Sequence, residues 1–133
     1  GGNMVTPHFG VKILDEQRHK KYKIKYKTEE KVISKDTSEV MKKILESVVT
    51  EGGGKKAAVE GYKVGAKTGT SEKLPRRSGK YIASCMGFAP ADNPKVIAIV
   101  LIDEPTGVYY GGTIAAPVIS KLLDDVLPYV DGK

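Results

Sequence analysis

At 133 residues and 14.4 kDa the chain has the size of one domain, 1–133, since domains mostly run about 100–150 residues. Its 40% hydrophobic, 29% charged and 7% aromatic residues, without Trp, make a globular composition with a modest core and exclude a disordered chain. The 22 Lys and Arg against 16 Asp and Glu give a net charge of +6, which favours anionic partners such as nucleic acid, lipid headgroups or wall polymers without choosing among them. A single cysteine, Cys85, rules out an internal disulfide framework or a zinc site built from several thiolates. The longest apolar run, Val96 to Ile102, is far short of the roughly 20 residues of a membrane-spanning helix. The opening residues GGNMVTPHFG lack a signal-peptide pattern and do not start with Met, so the chain reads as an excised piece.

In chain order, MVTPHFGVKIL, a polar DEQRH and KKYKIKYK predict two strands joined by a turn, because Tyr22, Ile24 and Tyr26 alternate with lysines at period two. One face is apolar and the other a comb of lysines, and the nine Lys and Arg against four acids between Lys12 and Lys35 concentrate the basic character there. Such a comb is a solvated strand face that discourages edge pairing; its alternative use is as a polyanion surface. From Asp36 the spacing of Val40, Met41, Ile44, Leu45, Val48 and Val49 predicts an amphipathic helix, capped by Asp36 with Glu39 and ended by Gly52 to Gly54. A strand is predicted over Gly61 to Thr70. Lys80 to Ala89 and Lys95 to Asp103 then read as an antiparallel hairpin turning at Pro90 to Pro94. After a loop from Glu104 to Gly112, Val118, Ile119, Leu122, Leu123, Val126 and Leu127 mark a closing helix over Ala115 to Val130, with Pro117 in its first turn.

Few segments carry chemistry. Gly52 to Lys56 matches part of a P-loop but lacks the following Ser or Thr and comes after a helix, so no nucleotide site is expected. His8 and His19 share no metal spacing with each other or with Cys85, which reads as a small core residue; no metal and no cofactor are expected. In Gly65-Ala66-Lys67-Thr68-Gly69-Thr70-Ser71, two hydroxyls flank a glycine on a strand and a lysine adds positive charge. That set suits a carboxylate and a developing oxyanion, though an ordinary polar strand end would look the same.

GYKVGAKTGTSEK, YIASCMGFAP and VIAIVLIDEP, with GGNMVTPHF, VISKDTSEVMKKILESVV, EGGGKKAAVEGY and GGTIAAPVISKLL, together resemble the C-terminal part of a penicillin-binding protein transpeptidase domain of the class B type. The resemblance runs over essentially the whole chain. It implies an α+β fold in which an antiparallel sheet is flanked by helices. This is the sheet portion of a serine β-lactamase-like domain, without its helical lobe. It also implies a serine acyltransferase that cross-links the D-Ala-D-Ala stem peptides of peptidoglycan through an acyl-enzyme, is acylated by β-lactams, and faces the wall from the outer side of the cell membrane.

Within that resemblance Lys67 and Thr70 are the catalytic candidates. Lys67 adds positive potential, and the Thr70 backbone N–H is an oxyanion donor. Thr68, Gly69 and Thr70 are the substrate-binding candidates, through two hydroxyls and a close backbone approach. Tyr109, Tyr110, Gly111 and Gly112 fall in a loop near the cleft and read as structural. Yet no serine is followed by Lys three places on or by Asn two places on, so the nucleophile motif S-x-x-K and the S-x-N motif are absent from these 133 residues. The chain alone is expected to be inactive. Its expected partners are a stem peptide, β-lactam antibiotics, the remainder of the parent domain and a second copy of itself, and no nucleic acid. The alternative is a non-catalytic module that binds the wall or a partner.

Overall fold

A computed structural model describes residues 1–132. The chain divides into two compact units, residues 1–40 and 41–133, and each has its own architecture.

In the first unit the two predicted strands are broken into three short ones, and a fourth follows just past the second prediction. β1 (Met4–Val5) pairs antiparallel with β4 (Thr28–Glu29), and β2 (Lys12–Leu14) pairs antiparallel with β3 (Lys20–Lys23). Pro7 follows β1 and has no N–H for a ladder, which stops the first run early. The β2–β3 register also shifts between Ile13 and Leu14. The hairpin turn is held by the Asp15 carboxylate, which accepts the His19 N–H at 2.7 Å. The expected apolar face is not buried: Ile13 and Tyr22 are both exposed, since a two-stranded ribbon has nothing to cover it within this unit. His8 stacks on Tyr26 with centroids 3.7 Å apart.

The predicted helix is α1 (Lys35–Thr50), which begins in the first unit and continues into the second. Its cap is Ser34 rather than Asp36. The Ser34 hydroxyl oxygen accepts the Thr37 N–H at 3.0 Å, and the Ser34 carbonyl accepts the Ser38 N–H at 3.0 Å. Asp36 falls inside the first turn, where its charge suits the helix dipole. The stripe is also less buried than the periodicity predicts: Val49 is buried, whereas Val40, Met41 and Ile44 are exposed.

The second unit holds the core. A 3-10 turn at Lys55–Ala57 leads to β5 (Gly65–Glu72), β6 (Tyr81–Ala89) and β7 (Val96–Asp103), an antiparallel sheet in the order β5-β6-β7. The register sets Ala66 opposite Gly87, Thr68 opposite Cys85 and Thr70 opposite Ala83, with Ala98, Val100 and Ile102 next across on β7. Because side chains alternate, these residues share one face, and most of them join the core cluster. On the other face Ile97, Ile99 and Leu101 are each more than 60% exposed.

A short α2 (Gly111–Ile114) is followed by α3 (Ala116–Val130), the closing helix. Of its predicted stripe only Ile119, Leu123 and Leu127, spaced by four, are fully buried with Ala115 and Ala116; Val118, Leu122 and Val126 stay partly exposed. The contact is narrow because the sheet offers small residues. A Cβ added to Gly87 would sit 2.5 Å from Ile119 Cγ2, so the glycine is what lets the helix seat there. The Ser120 hydroxyl donates to the Ala58 carbonyl at 2.6 Å, and Asp131 accepts from the Tyr62 hydroxyl at 2.9 Å and pairs with Lys95 at 3.1 Å, fastening both ends of α3.

Leu123→Ala should therefore lower unfolding stability by about 2–5 kcal/mol in a urea titration, and Leu122→Ala on the half-exposed flank by well under half of that.

Candidate active site

The K-T-G residues lie on β5, at the edge of the three-stranded sheet. Strand geometry turns alternate backbone N–H and C=O groups away from β6, the arrangement with which an edge strand takes up an extended peptide. Small residues make this edge accessible. Gly65 and Ala66 are buried, and from Lys67 onward the strand rises to the surface, with Lys67 and Thr70 exposed and Thr68 and Gly69 half-buried.

The four candidate residues are thus together, but not on one face. Lys67 and Gly69 point to the side of the exposed Ile97, Ile99 and Leu101, while Thr68 and Thr70 point to the side of α3. Both sets flank the same free edge. Lys67 Nζ donates to the Thr68 carbonyl at 2.5 Å. A Cβ on Gly69 would lie 2.6 Å from the Ser84 hydroxyl oxygen, so a side chain there would require that hydroxyl to turn away.

Beneath Thr68 is Cys85, buried and free. Burial pushes its thiol pKa up, and the positive charge of Lys67 pulls it back part of the way. Cys85 is therefore a packed thiol, as its apolar neighbours suggest. His8 and His19 are both in the first unit; the His8 Nδ1–H donates to the Thr6 carbonyl at 2.7 Å and His19 pairs with Asp15 at 3.5 Å. Among the described residues no group of three His, Cys, Asp or Glu side chains could hold a metal ion.

The loop ahead of α2 brings the first residue of α2 to this edge. The Gly111 N–H donates to the Thr70 hydroxyl oxygen at 3.1 Å. A Cβ on Gly111 would collide with the carbonyl oxygens of Ser84 and Gly69, and one on Gly112 would lie 2.5 Å from the Gly53 carbonyl oxygen. The double glycine is read from sequence as a turn, yet neither residue has positive φ. It is needed for close approach, a property of the tertiary packing that no dipeptide pattern encodes. Tyr109 stacks on Tyr81 at 4.1 Å and leans on Tyr110 at 4.6 Å, so three aromatic rings line the end of the strand pair next to the K-T-G edge. The Tyr109 hydroxyl beside it, by hydrogen bonding and then by charge, raises the Tyr110 pKa. At the far end of β5, Lys73 bridges Asp103 at 2.9 Å and Glu104 at 2.8 Å, and Lys80 joins Glu104 at 3.1 Å. Those hydrogen bonds raise the Lys73 pKa and lower that of Glu104.

Residues 1–124 match the family described as the penicillin binding protein transpeptidase domain. The chain is 43% identical to stage V sporulation protein D of Bacillus subtilis (strain 168), over 96% of its own length and 21% of that protein's. Among solved structures, the transpeptidase domain of penicillin-binding protein 3 from Burkholderia pseudomallei superposes with a TM-score of 0.70 at 40% identity, over 80% of this chain and 34% of that one. The transpeptidase domain of a D,D-transpeptidase from Legionella pneumophila gives 0.67 at 35% identity, over 74% of this chain and 38% of that one. The chain thus spans about a fifth of the curated relative and about a third of each solved domain.

Cys85 should resist iodoacetamide in the folded protein at pH 8 and react once urea unfolds it, as intact mass will register. A thiol whose folded pKa lies above its unfolded value adds stability that is complete below the ordinary thiol range. That stability is lost as pH rises through the folded pKa, so urea midpoints should fall on the alkaline side.

Proposed function

The chain belongs to the penicillin-binding protein transpeptidase family, and we propose that it forms the carboxylate-binding and oxyanion side of a serine D,D-transpeptidase that cross-links peptidoglycan and is acylated by β-lactams. The observation that carries this reading is the exposed edge strand β5, on which Lys67, Thr68, Gly69 and Thr70 are accessible side by side.

In this reading a D-Ala-D-Ala stem peptide lies along β5. Its terminal carboxylate takes hydrogen bonds from the Thr68 and Thr70 hydroxyls, and Lys67 supplies positive potential at the same place. A serine oxygen from the part of the transpeptidase domain that bears S-x-x-K attacks the penultimate carbonyl. Negative charge builds on that carbonyl oxygen, and the Thr70 backbone N–H is one of its donors. The C–N bond to the terminal D-Ala then breaks, and that residue leaves as the free amino acid with the proton taken from the serine. An amine of a second stem attacks the acyl-serine ester, forms the new amide and returns the serine hydroxyl. A β-lactam carries the same carboxylate and strained amide, and has no leaving residue to depart, so the acyl-enzyme persists. None of these steps needs a cofactor.

The apolar sheet face of Ile97, Ile99 and Leu101 is the surface that the remainder of the parent domain covers in this proposal. A second copy covering it, which size-exclusion at several concentrations would register, is the competing occupant. Among the described residues no helix is long and apolar enough to cross a membrane, and the proposed position at the outer face of the cell membrane rests on the parent protein. A wall-binding module without chemistry is the alternative reading for these 133 residues taken alone.

Incubation with a fluorescent penicillin followed by intact-mass spectrometry tests the reading. The full-length transpeptidase should gain one acyl group and the 133-residue chain none, and Lys67→Ala should slow acylation about 100-fold or more. Unlabelled full-length protein that still binds peptidoglycan sacculi would instead support the binding module.

A further inference from the structure

The Thr70 hydroxyl does two things at once. Its oxygen accepts the Gly111 N–H at 3.1 Å, while among the described residues no protein acceptor takes its O–H. A hydroxyl has one proton and two lone pairs. With one lone pair engaged by an N–H on the loop side, the proton cannot point toward Gly111 and is directed toward the open side of the strand, where Thr70 is exposed. Gly111 is itself buried, wedged by its lack of a side chain against the Ser84 and Gly69 carbonyls. The N–H therefore sits at a fixed place relative to β5 and has little freedom to leave.

We propose that Gly111 is a positioning residue of the carboxylate seat: its backbone N–H orients the Thr70 hydroxyl as a ready donor to the anionic end of the substrate. This rests on the reading that Thr70 binds the substrate carboxylate. It adds that recognition of the anion depends on the loop ahead of α2, through a residue that never touches the substrate. An unpinned threonine would lose rotational freedom on binding and would donate its proton part of the time to water, so the bond raises affinity for the anion by pre-orientation. Because the bond is made by a backbone group, no change of side chain on Thr70's own strand can replace it. Displacing the loop will break it.

The test uses the full-length transpeptidase with two acylating agents, benzylpenicillin and its methyl ester, which lacks the carboxylate charge. Gly111→Ala should slow acylation by benzylpenicillin about tenfold and leave the slower reaction of the ester nearly unchanged. In a Thr70→Val background the same substitution should add little for either compound. Equal slowing of both compounds would mean a merely structural glycine, and no slowing of either would mean an idle hydrogen bond; both overturn the proposal.

Amide hydrogen exchange over residues 109–113 covers the case in which Gly111→Ala does not fold. Thr70→Val should speed exchange at Gly111 while Thr70→Ser leaves it protected, and unchanged protection in Thr70→Val would overturn the proposal. If wild-type protein is acylated by neither compound, the transpeptidase reading fails instead, and the exchange measurement still decides whether Thr70 holds Gly111.

Discussion

The seat of α3 on the sheet is the contact on which the rest of the second unit depends. Ile119, Leu123 and Leu127 are wholly buried there, each worth about 1.5–3 kcal/mol of transfer free energy. They reach the sheet because Gly87 has no side chain to hold them off. Once α3 lies in that position, α2 and the loop before it have no freedom to sit elsewhere, since Ala115 and Ala116 are buried at the junction. Gly111 is thereby pressed onto the backbone of β5 and β6. The edge that carries the candidate residues is thus shaped from behind by α3.

Charge is arranged to leave that edge positive. The acidic residues nearest to the sheet's ends are engaged: Asp103 and Glu104 by Lys73, and Glu104 again by Lys80. These bridges are exposed, and pairs of that kind contribute little to stability. Their consequence is local, because they hold the segment between β5 and β6 to the end of β7 and the residue after it. Among the described residues Lys67 makes no ion pair with a carboxylate; its Nζ donates to the Thr68 carbonyl, a neutral acceptor. The Cys85 thiol registers that charge from beneath, which is why its pKa is raised less than burial alone would raise it.

The first unit follows a different logic. Its ribbons are two-stranded and bury almost nothing, so their shape depends on short polar ties such as Thr6 to the Lys27 carbonyl at 2.8 Å and the Lys31 N–H to Asn3 at 2.9 Å. The lysines that dominate this stretch are on strands too short to make a continuous comb, because Pro7 and the shifted register at Leu14 interrupt the pairing. The period-two alternation is real in the sequence, but it reports only which residues share a strand face. Whether a face is covered is decided by neighbours that the alternation does not describe.

The same distinction runs through the whole chain. Local pattern determined the elements held together by interactions close in sequence: α1, the β6–β7 hairpin with its turn, the closing helix, and a strand that carries Lys67 to Thr70. Those came through because backbone hydrogen bonding and side-chain period are local, and because a resemblance spanning the whole chain named the motif. Tertiary structure decided the rest. Asp36 reads as the cap until the start of the helix is placed and Ser34 is found in that role, and six stripe residues on α3 look equivalent until the sheet admits only three. Gly111 reads as half of a turn until its N–H is found on Thr70, forty-one residues away in sequence. A hydrogen bond between distant segments leaves no period and no spacing behind; it exists only because a helix seated on a glycine brings the two together.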